Sequence, residues 1–281
     1  MSKFNYPIEE TIKARFSARA YTDQPIPAEI KEKINTYIRT LSNPFSVKVT
    51  YHMLELENAP HAEKLGTYGV INGSVDYVGA TVAKGDLALE GLGFEFENLI
   101  LYITSLGLGT CWLGGTFERG AFSKAMTVKE EELFPIITPF GYSASKKRLV
   151  DGVTKRIADP NQRKPWSELF FNKNFATPLS ELDAGAFALP LELVRLAPSA
   201  SNKQPWRIVQ DGGVYHFYEA KEPGYSDRFE YDIQQIDIGI AACHFYLAAA
   251  DKNLSGDFKK LPDPVSDIPE HTQYAFSWVS K

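Results

Sequence analysis

Apolar residues recur with two distinct periods along the chain, and the change from one to the other lays out its elements. Val47, Val49, Tyr51 and Met53 repeat every second position, so residues 47–56 read as a strand. Residues 69–82, rich in β-branched and aromatic side chains, predict a second strand, and 134–143 a third. Residues 85–106 are apolar around the whole helical circumference and stop against Gly107 and Gly109, the pattern of a largely buried helix. Two shorter helical patterns precede them, at 7–16 and at 27–41, the second opening on Pro27. Further on, 179–196 reads as a helix broken near Pro190, and 207–220 as a strand pair turning at Asp211-Gly-Gly213. A second buried helix is expected at 236–252 and a closing strand at 274–279. The sum is an α+β architecture of antiparallel strands covered by helices.

These patterns repeat. Tyr51-His-Met-Leu-Glu55 parallels Tyr215-His-Phe-Tyr-Glu219, and Gly93-Phe-Glu-Phe-Glu-Asn-Leu-Ile-Leu101 parallels Gly239-Ile-Ala-Ala-Cys-His-Phe-Tyr-Leu247. The offset falls from 164 to 146 between the two pairs, which puts 18 extra residues in the first copy, at roughly 58–75. A third pair sets the polar run Ala197-Pro-Ser-Ala-Ser-Asn-Lys-Gln-Pro-Trp206 against Ser42-Asn43-Pro44-Phe45, its worn copy. Matches this short can arise by chance, but three pairs in one order argue for an internal duplication. The expected halves are 1–160 and 161–281, interlocked as one globular unit and joined near 158–164, where Asp-Pro-Asn-Gln-Arg-Lys lacks apolar periodicity.

Composition narrows the function classes. With 281 residues, 44% hydrophobic and 23% charged, the chain is ordinary globular protein. A net charge of -5 gives no global attraction to nucleic acid or to an anionic membrane. The first residues contain no apolar run for a signal peptide and no later segment reaches a membrane span, so a cytoplasmic protein is expected. Cys111 and Cys243 stand far apart without a CxxC, which argues against a disulfide framework or a zinc site. Gly91-Leu-Gly93 and Gly107-Leu-Gly109 lack the third glycine of a dinucleotide fingerprint, and the five histidines show neither HxH nor HExxH spacing. Gly141-Tyr-Ser-Ala-Ser145 lacks the closing glycine of a nucleophile elbow. Cys243 and His244 diverge in direction on a helix and read as packing residues.

Two segments carry positive signals, each with a plainer alternative. Arg15-Phe-Ser-Ala-Arg-Ala-Tyr21 puts two guanidinium groups on roughly one side of either a helix or a strand, where they could grip one phosphate. Ser17 joins them only if the backbone is extended or turning, and an exposed arginine pair bridging to Asp23 or Glu9 is the plainer reading. Leu106-Gly-Leu-Gly-Thr-Cys-Trp-Leu-Gly-Gly115 lets backbone amides approach a flat ligand, and equally fits a helix C-cap followed by a bulge.

Together with Thr22-Asp-Gln-Pro25 and the run 197–206, these segments resemble the nitroreductase family of flavin-dependent oxidoreductases. The resemblance implies FMN at an interface between two subunits, with an arginine-serine motif from one and an Ala-Pro-Ser segment from the other. Here the strong arginine and glycine motifs fall in the first half and the strong Pro-Ser-Asn motif in the second. The second-half counterpart of the arginine motif, near 171–175, has no arginine. The expectation is a fused pseudo-dimer, monomeric, with one complete composite site and a second that is dead or empty.

By the same resemblance, Arg15, Ser17 and Arg19, with Phe16 beside them, hold the FMN phosphate and ribitol. Trp112, Leu113, Gly114 and Gly115 lie by the ring face and N5, and Pro198, Ser199, Ala200, Ser201, Asn202 and Gln204 meet the flavin from the other half. Lys147 and Arg148 supply a further phosphate cation, or serve only as soluble residues at a strand end. The implied activity is ping-pong hydride transfer from NAD(P)H through flavin N5 to a small-molecule oxidant: a nitroaromatic, a quinone or another flavin. No side chain is assigned as catalytic and no metal is implied. The alternatives are a protein that stores or senses flavin without turnover, and a degenerate scaffold binding another small ligand.

Overall fold

In the computed structural model, which describes residues 4, 6–56, 65–73, 76–144, 162–262 and 265–281, the first half opens with α1 (Ile8–Ala14) and α2 (Ala28–Ile38). It continues through β1 (Val49–Leu54), β2 (Asp76–Val82), α3 (Ala88–Ser105), β3 (Gly109–Thr110), α4 (Arg119–Ala125) and β4 (Leu133–Gly141). The second half runs through α5 (Trp166–Leu169), β5 (Phe170–Asn172), α6 (Glu181–Ala184), α7 (Ala188–Arg195), β6 (Trp206–Asp211) and β7 (Val214–Ala220). It ends with α8 (Gln234–Asp251), β8 (Gly256–Lys259) and β9 (Thr272–Ser280).

The duplication is visible in the sheets. One sheet has the order β1-β2-β4-β3, and the other has β6-β7-β9-β8 with β5 added beside β6. All pairings are antiparallel except β5 with β6. This order makes β6 the equivalent of β1, and β7 the equivalent of β2. The sequence match between Tyr51 and Tyr215 therefore joins non-equivalent strands, since Tyr51 lies in β1 and Tyr215 in β7. The extra segment does fall where expected. Residues 55–75 connect β1 to β2, whereas Gly212-Gly213 alone connect β6 to β7.

α3 and α8 pack against each other at the centre, each buried along most of its length. Apolar residues of both halves form one main core around them, including Leu92, Phe96, Ile100, Trp206, Phe217, Phe245 and Trp278. Burial on both faces explains why β2 is a nearly unbroken apolar run. Its other face meets a smaller core with Tyr21, Leu113, Phe122 and Phe134.

Two expected boundaries move for identifiable reasons. The first helix ends at Ala14, because Arg15 turns to extended backbone and the chain begins to pair with β3. The break in 179–196 comes at Gly185, at φ +56, and Pro190 is instead the third residue of α7. In that first turn a proline's missing N–H costs no helical hydrogen bond. β3, α5, β5 and β8 are too short to show a period, and α4 has Gly120 inside it.

Candidate functional site

The first wall of the site is made by the chain leaving α1. Ser17 bridges Thr110 in parallel fashion and the Ala18 amide donates to the Thr110 carbonyl at 2.8 Å, so residues 15–19 run extended beside β3. Extended backbone alternates its side chains. Arg15, Ser17 and Arg19 consequently line a cavity of about 250 Å³, while Phe16 packs against the smaller core. The exposed-pair reading fails for Arg15, whose side chain is 7% exposed and whose nearest carboxylate is Glu97, 3.9 Å from Nε. Glu9 pairs with Lys13 instead.

The floor comes from the segment after β3. Trp112, Leu113, Gly114 and Gly115 all line the cavity. Leu113 exchanges two backbone hydrogen bonds with Ile137, each 3.0 Å, and Arg119 of α4 donates to the Gly114 carbonyl at 2.7 Å. The Trp112 indole N–H donates to Glu97 Oε2 at 2.7 Å.

The second half supplies the opposite wall. Pro198, Ser199, Ala200, Ser201 and Asn202 line the cavity, with the first turns of α8 behind them. Ser201, Asn202 and Gln204 all have left-handed backbone, at φ +48, +54 and +50, a costly cluster that persists only where the surroundings hold it. Polar contacts supply that hold. The Ala200 amide donates to both Asp237 carboxylate oxygens, at 3.0 and 3.2 Å, and the Gln204 amide to Ser199 Oγ at 2.8 Å. Gln204 is buried and accepts from the Lys164 amide at 2.8 Å, so it braces the loop and does not line the cavity. Lys147 and Arg148 lie outside the described residues, as do 58–64 and 74–75 of the expected extra segment and residues 158–161 of the expected linker.

Sequence reasoning missed Arg163, which lay in the segment set aside as a linker. Its Nη1 donates to the Ala197 carbonyl at 2.9 Å and to Asn202 Oδ1 at 3.0 Å, and it lines the cavity. Burial, with Arg15 and Arg195 nearby, pulls its pKa down to about 10. Tyr225 and Arg228, from the β7–α8 connection, complete the rim. Buried arginine Nε atoms of Arg15 and Arg19 have no hydrogen-bond partner among the described residues. Such donors are costly unless a ligand meets them, and the guanidinium groups of Arg15, Arg19, Arg163 and Arg228 around one cavity favour an anion. Asp237 also lines the cavity, and burial pushes its carboxyl well up, toward the uncharged acid. The Cys111 thiol also lines the cavity, and burial raises it despite Arg19 and Arg15 beside it, which keeps it protonated and unreactive. No group of three metal-ligating side chains occurs among the described residues, and none of their helices is long and apolar enough to cross a membrane.

Comparison with known proteins follows the same lines. A family model described as "Putative TM nitroreductase" matches residues 7–249. A solved structure described as a "putative nitroreductase" from Thermotoga maritima aligns over 99% of this chain and 96% of its own, with a TM-score of 0.62 at 20% identity. It shares the fold in one chain of similar extent, tandem halves included. An "FMN-dependent Nitroreductase" from Clostridium difficile aligns over 54% of this chain and 98% of its own, with a TM-score of 0.41 at 19% identity. No curated protein matches significantly.

Proposed function

We propose, since this chain belongs to the TM nitroreductase family, that it is an FMN-dependent NAD(P)H oxidoreductase whose two halves build one flavin site. The observation that carries this reading is the pair of buried Nε donors of Arg15 and Arg19, without a hydrogen-bond partner among the described residues, in a wall completed by the other half of the chain. The residues fit the group. Arg15, Arg19 and Arg163 are suited to the phosphate, Ser17 to the ribitol, and Pro198–Asn202 to the polar edge of the ring, opposite Trp112–Gly115. A Cβ on Gly114 would come 2.7 Å from Ile233 Cδ1, so a side chain there would displace the Ile233 tip that also lines the cavity.

Bound FMN would supply the hydride chemistry, accepting from NAD(P)H and passing to a nitroaromatic, quinone or flavin acceptor in alternation. This chain's own part is to bind, orient and exclude water. The apolar walls, Leu113, Ile236 and Ile240, keep a ring dry, while the guanidinium groups balance negative charge. No lining side chain is needed as a nucleophile. The fused halves place both walls in one molecule, so a monomer suffices.

Absorbance of the purified protein, before and after adding FMN, tests the cofactor, and anaerobic mixing with NADH and with NADPH tests turnover. Yellow protein that bleaches within seconds is the expected result. Flavin that binds but keeps its colour with both nucleotides indicates storage, and protein that takes up no FMN sinks the proposal.

A further inference from the structure

We infer that Glu97 and His244 form a buried pair sharing one proton, which leaves the charge of Arg15 free for an anionic ligand and makes His244 a positioning residue for the cavity from the opposite half. The flavin reading above enters only through the choice of probe.

Both side chains are fully buried, Glu97 in α3 and His244 in α8. His244 Nδ1 lies 2.8 Å from the Leu193 carbonyl, an acceptor only, so Nδ1 must carry a hydrogen. Its Nε2 lies 2.9 Å from Glu97 Oε1. Two groups without a proton between them would face lone pair to lone pair. The contact therefore contains one proton, either as imidazolium with carboxylate or as imidazole with carboxylic acid. In both forms the pair is neutral.

That neutrality decides what Arg15 can do. Glu97 is the carboxylate paired with Arg15, and an uncompensated Glu97 at 3.9 Å would cancel the guanidinium. The other titratable groups facing Glu97 do not alter the balance. Burial raises the Cys243 thiol and the Tyr6 phenol well above their usual values, so both stay neutral, and the Trp112 indole is a neutral donor. Arg163 adds a like charge near Arg15. The wall keeps its positive charge because His244 has answered Glu97.

Two substitutions separate charge from mere packing. In Glu97→Gln, the amide can donate to His244 Nε2 and accept from Trp112, so every bond is kept and the negative charge is gone. In His244→Gln, the amide satisfies Glu97 but brings no net proton, and Glu97 turns its charge on Arg15. Dissociation constants for FMN and for riboflavin, which lacks the phosphate, give the readout. His244→Gln should weaken FMN about tenfold more than riboflavin, as expected for one charge-assisted contact. Glu97→Gln should bind FMN at least as well as the unaltered chain, and the double variant should regain the affinity that His244→Gln lost. A structural role would instead weaken both single variants, toward both flavins alike, and that result overturns the inference.

Nitrogen-15 spectra of labelled histidines in the flavin-free protein give a second measurement. The His244 signal, assigned by its loss in His244→Gln, should show a protonated Nδ1 and an Nε2 that is protonated or strongly hydrogen-bonded. A free, unprotonated Nε2 overturns the inference. Should the protein bind neither flavin, the functional proposal fails while these spectra still decide the pair.

Discussion

Gly93 of α3 and Gly239 of α8 each face the backbone carbonyl that lies three residues before the other. A Cβ added to Gly93 would stand 2.2 Å from the Ile236 oxygen, and one added to Gly239 would stand 2.0 Å from the Glu90 oxygen. The contact is reciprocal, as across the two-fold axis of a homodimer, but both partners belong to one chain. It fixes how closely the halves approach, and so how far Arg15 and Trp112 stand from Pro198 and Ser201.

Alanine at either glycine must push the two central helices apart, because the obstacle is backbone and not a flexible side-chain end. Gly93→Ala and Gly239→Ala should each lower stability by about 1 to 3 kcal/mol, the range for overpacking a tight core. Gly120→Ala in α4, where a Cβ meets nothing within 4 Å, should be neutral or stabilise by up to about 1 kcal/mol. Urea denaturation of the three variants checks this. Equal stability for all three would show that the helices slide without cost.

What the sequence made legible follows the length of the signal. α3 and α8 declared themselves because each is an 18-residue stretch dominated by apolar residues, long enough to exclude a strand. The three site segments stood out by composition, two by polar side chains and the third by its glycines, and residues of all three line one cavity. Arg163 was not legible, since one arginine in a segment without pattern looks like a solvated linker, and only folding brings it against Asn202. Glu97 was hidden differently. It is one of three acids on α3, with Glu90 and Glu95, and its significance depends on His244, which lies 147 residues away in sequence. The match of Tyr51 with Tyr215 misled because strands of equal alternation resemble one another whatever their place in a sheet.

The worn copy should hold no second flavin. Asn43 turns on its own loop, accepting from the Phe45 and Val47 amides at 3.1 Å each, and Phe45 packs against Phe94, Phe258 and Phe276. A cavity of about 300 Å³ beside it is lined by Ser42, Asn43 and Pro44, and none of its described lining residues is charged. A phosphate there would be desolvated without a cation to meet it. Flavin titration followed by absorbance should saturate near one FMN per chain, and a plateau at two would refute the assignment.

Buried carboxylates give the fold a pH dependence of known sign. Burial raises Glu219 to about 8 and Glu90 to about 7, from an ordinary 4.5. Asp232 adds repulsion at Glu219 and Lys221 opposes it. An acid with a raised folded pKa binds more protons folded than unfolded between the two values, so its stabilising share is full below about 4.5 and is lost as pH rises through about 8. His52 and His216, lowered by burial, work the other way at the acid end, losing stability as pH falls below 6.5. Glu219→Gln cannot titrate, so its melting temperature relative to the unaltered chain should rise between about pH 5 and pH 8. A constant difference across that range would show that Glu219 ionises normally.

Arg163 joins the strained loop to the charged wall, and its two tasks can be taken apart. Its guanidinium ties Ala197 and Asn202, while Asn202 Nδ2 donates to the Gln162 carbonyl at 2.8 Å, so that left-handed Ser201 and Asn202 are held from two sides. Arg163→Met removes both the bonds and the charge. It should cost about 1 to 3 kcal/mol of stability, and should weaken FMN by a similar amount, less so at high salt. Arg163→Lys keeps the charge but not the planar guanidinium whose Nη1 meets both acceptors, so it should lose stability while retaining most of the salt-sensitive affinity. Denaturation curves and flavin titrations at two ionic strengths give the comparison. If the methionine variant is as stable as the unaltered chain, the loop holds its own left-handed turns. If the lysine variant binds FMN no better than the methionine variant, the geometry of the guanidinium matters to the ligand more than its charge.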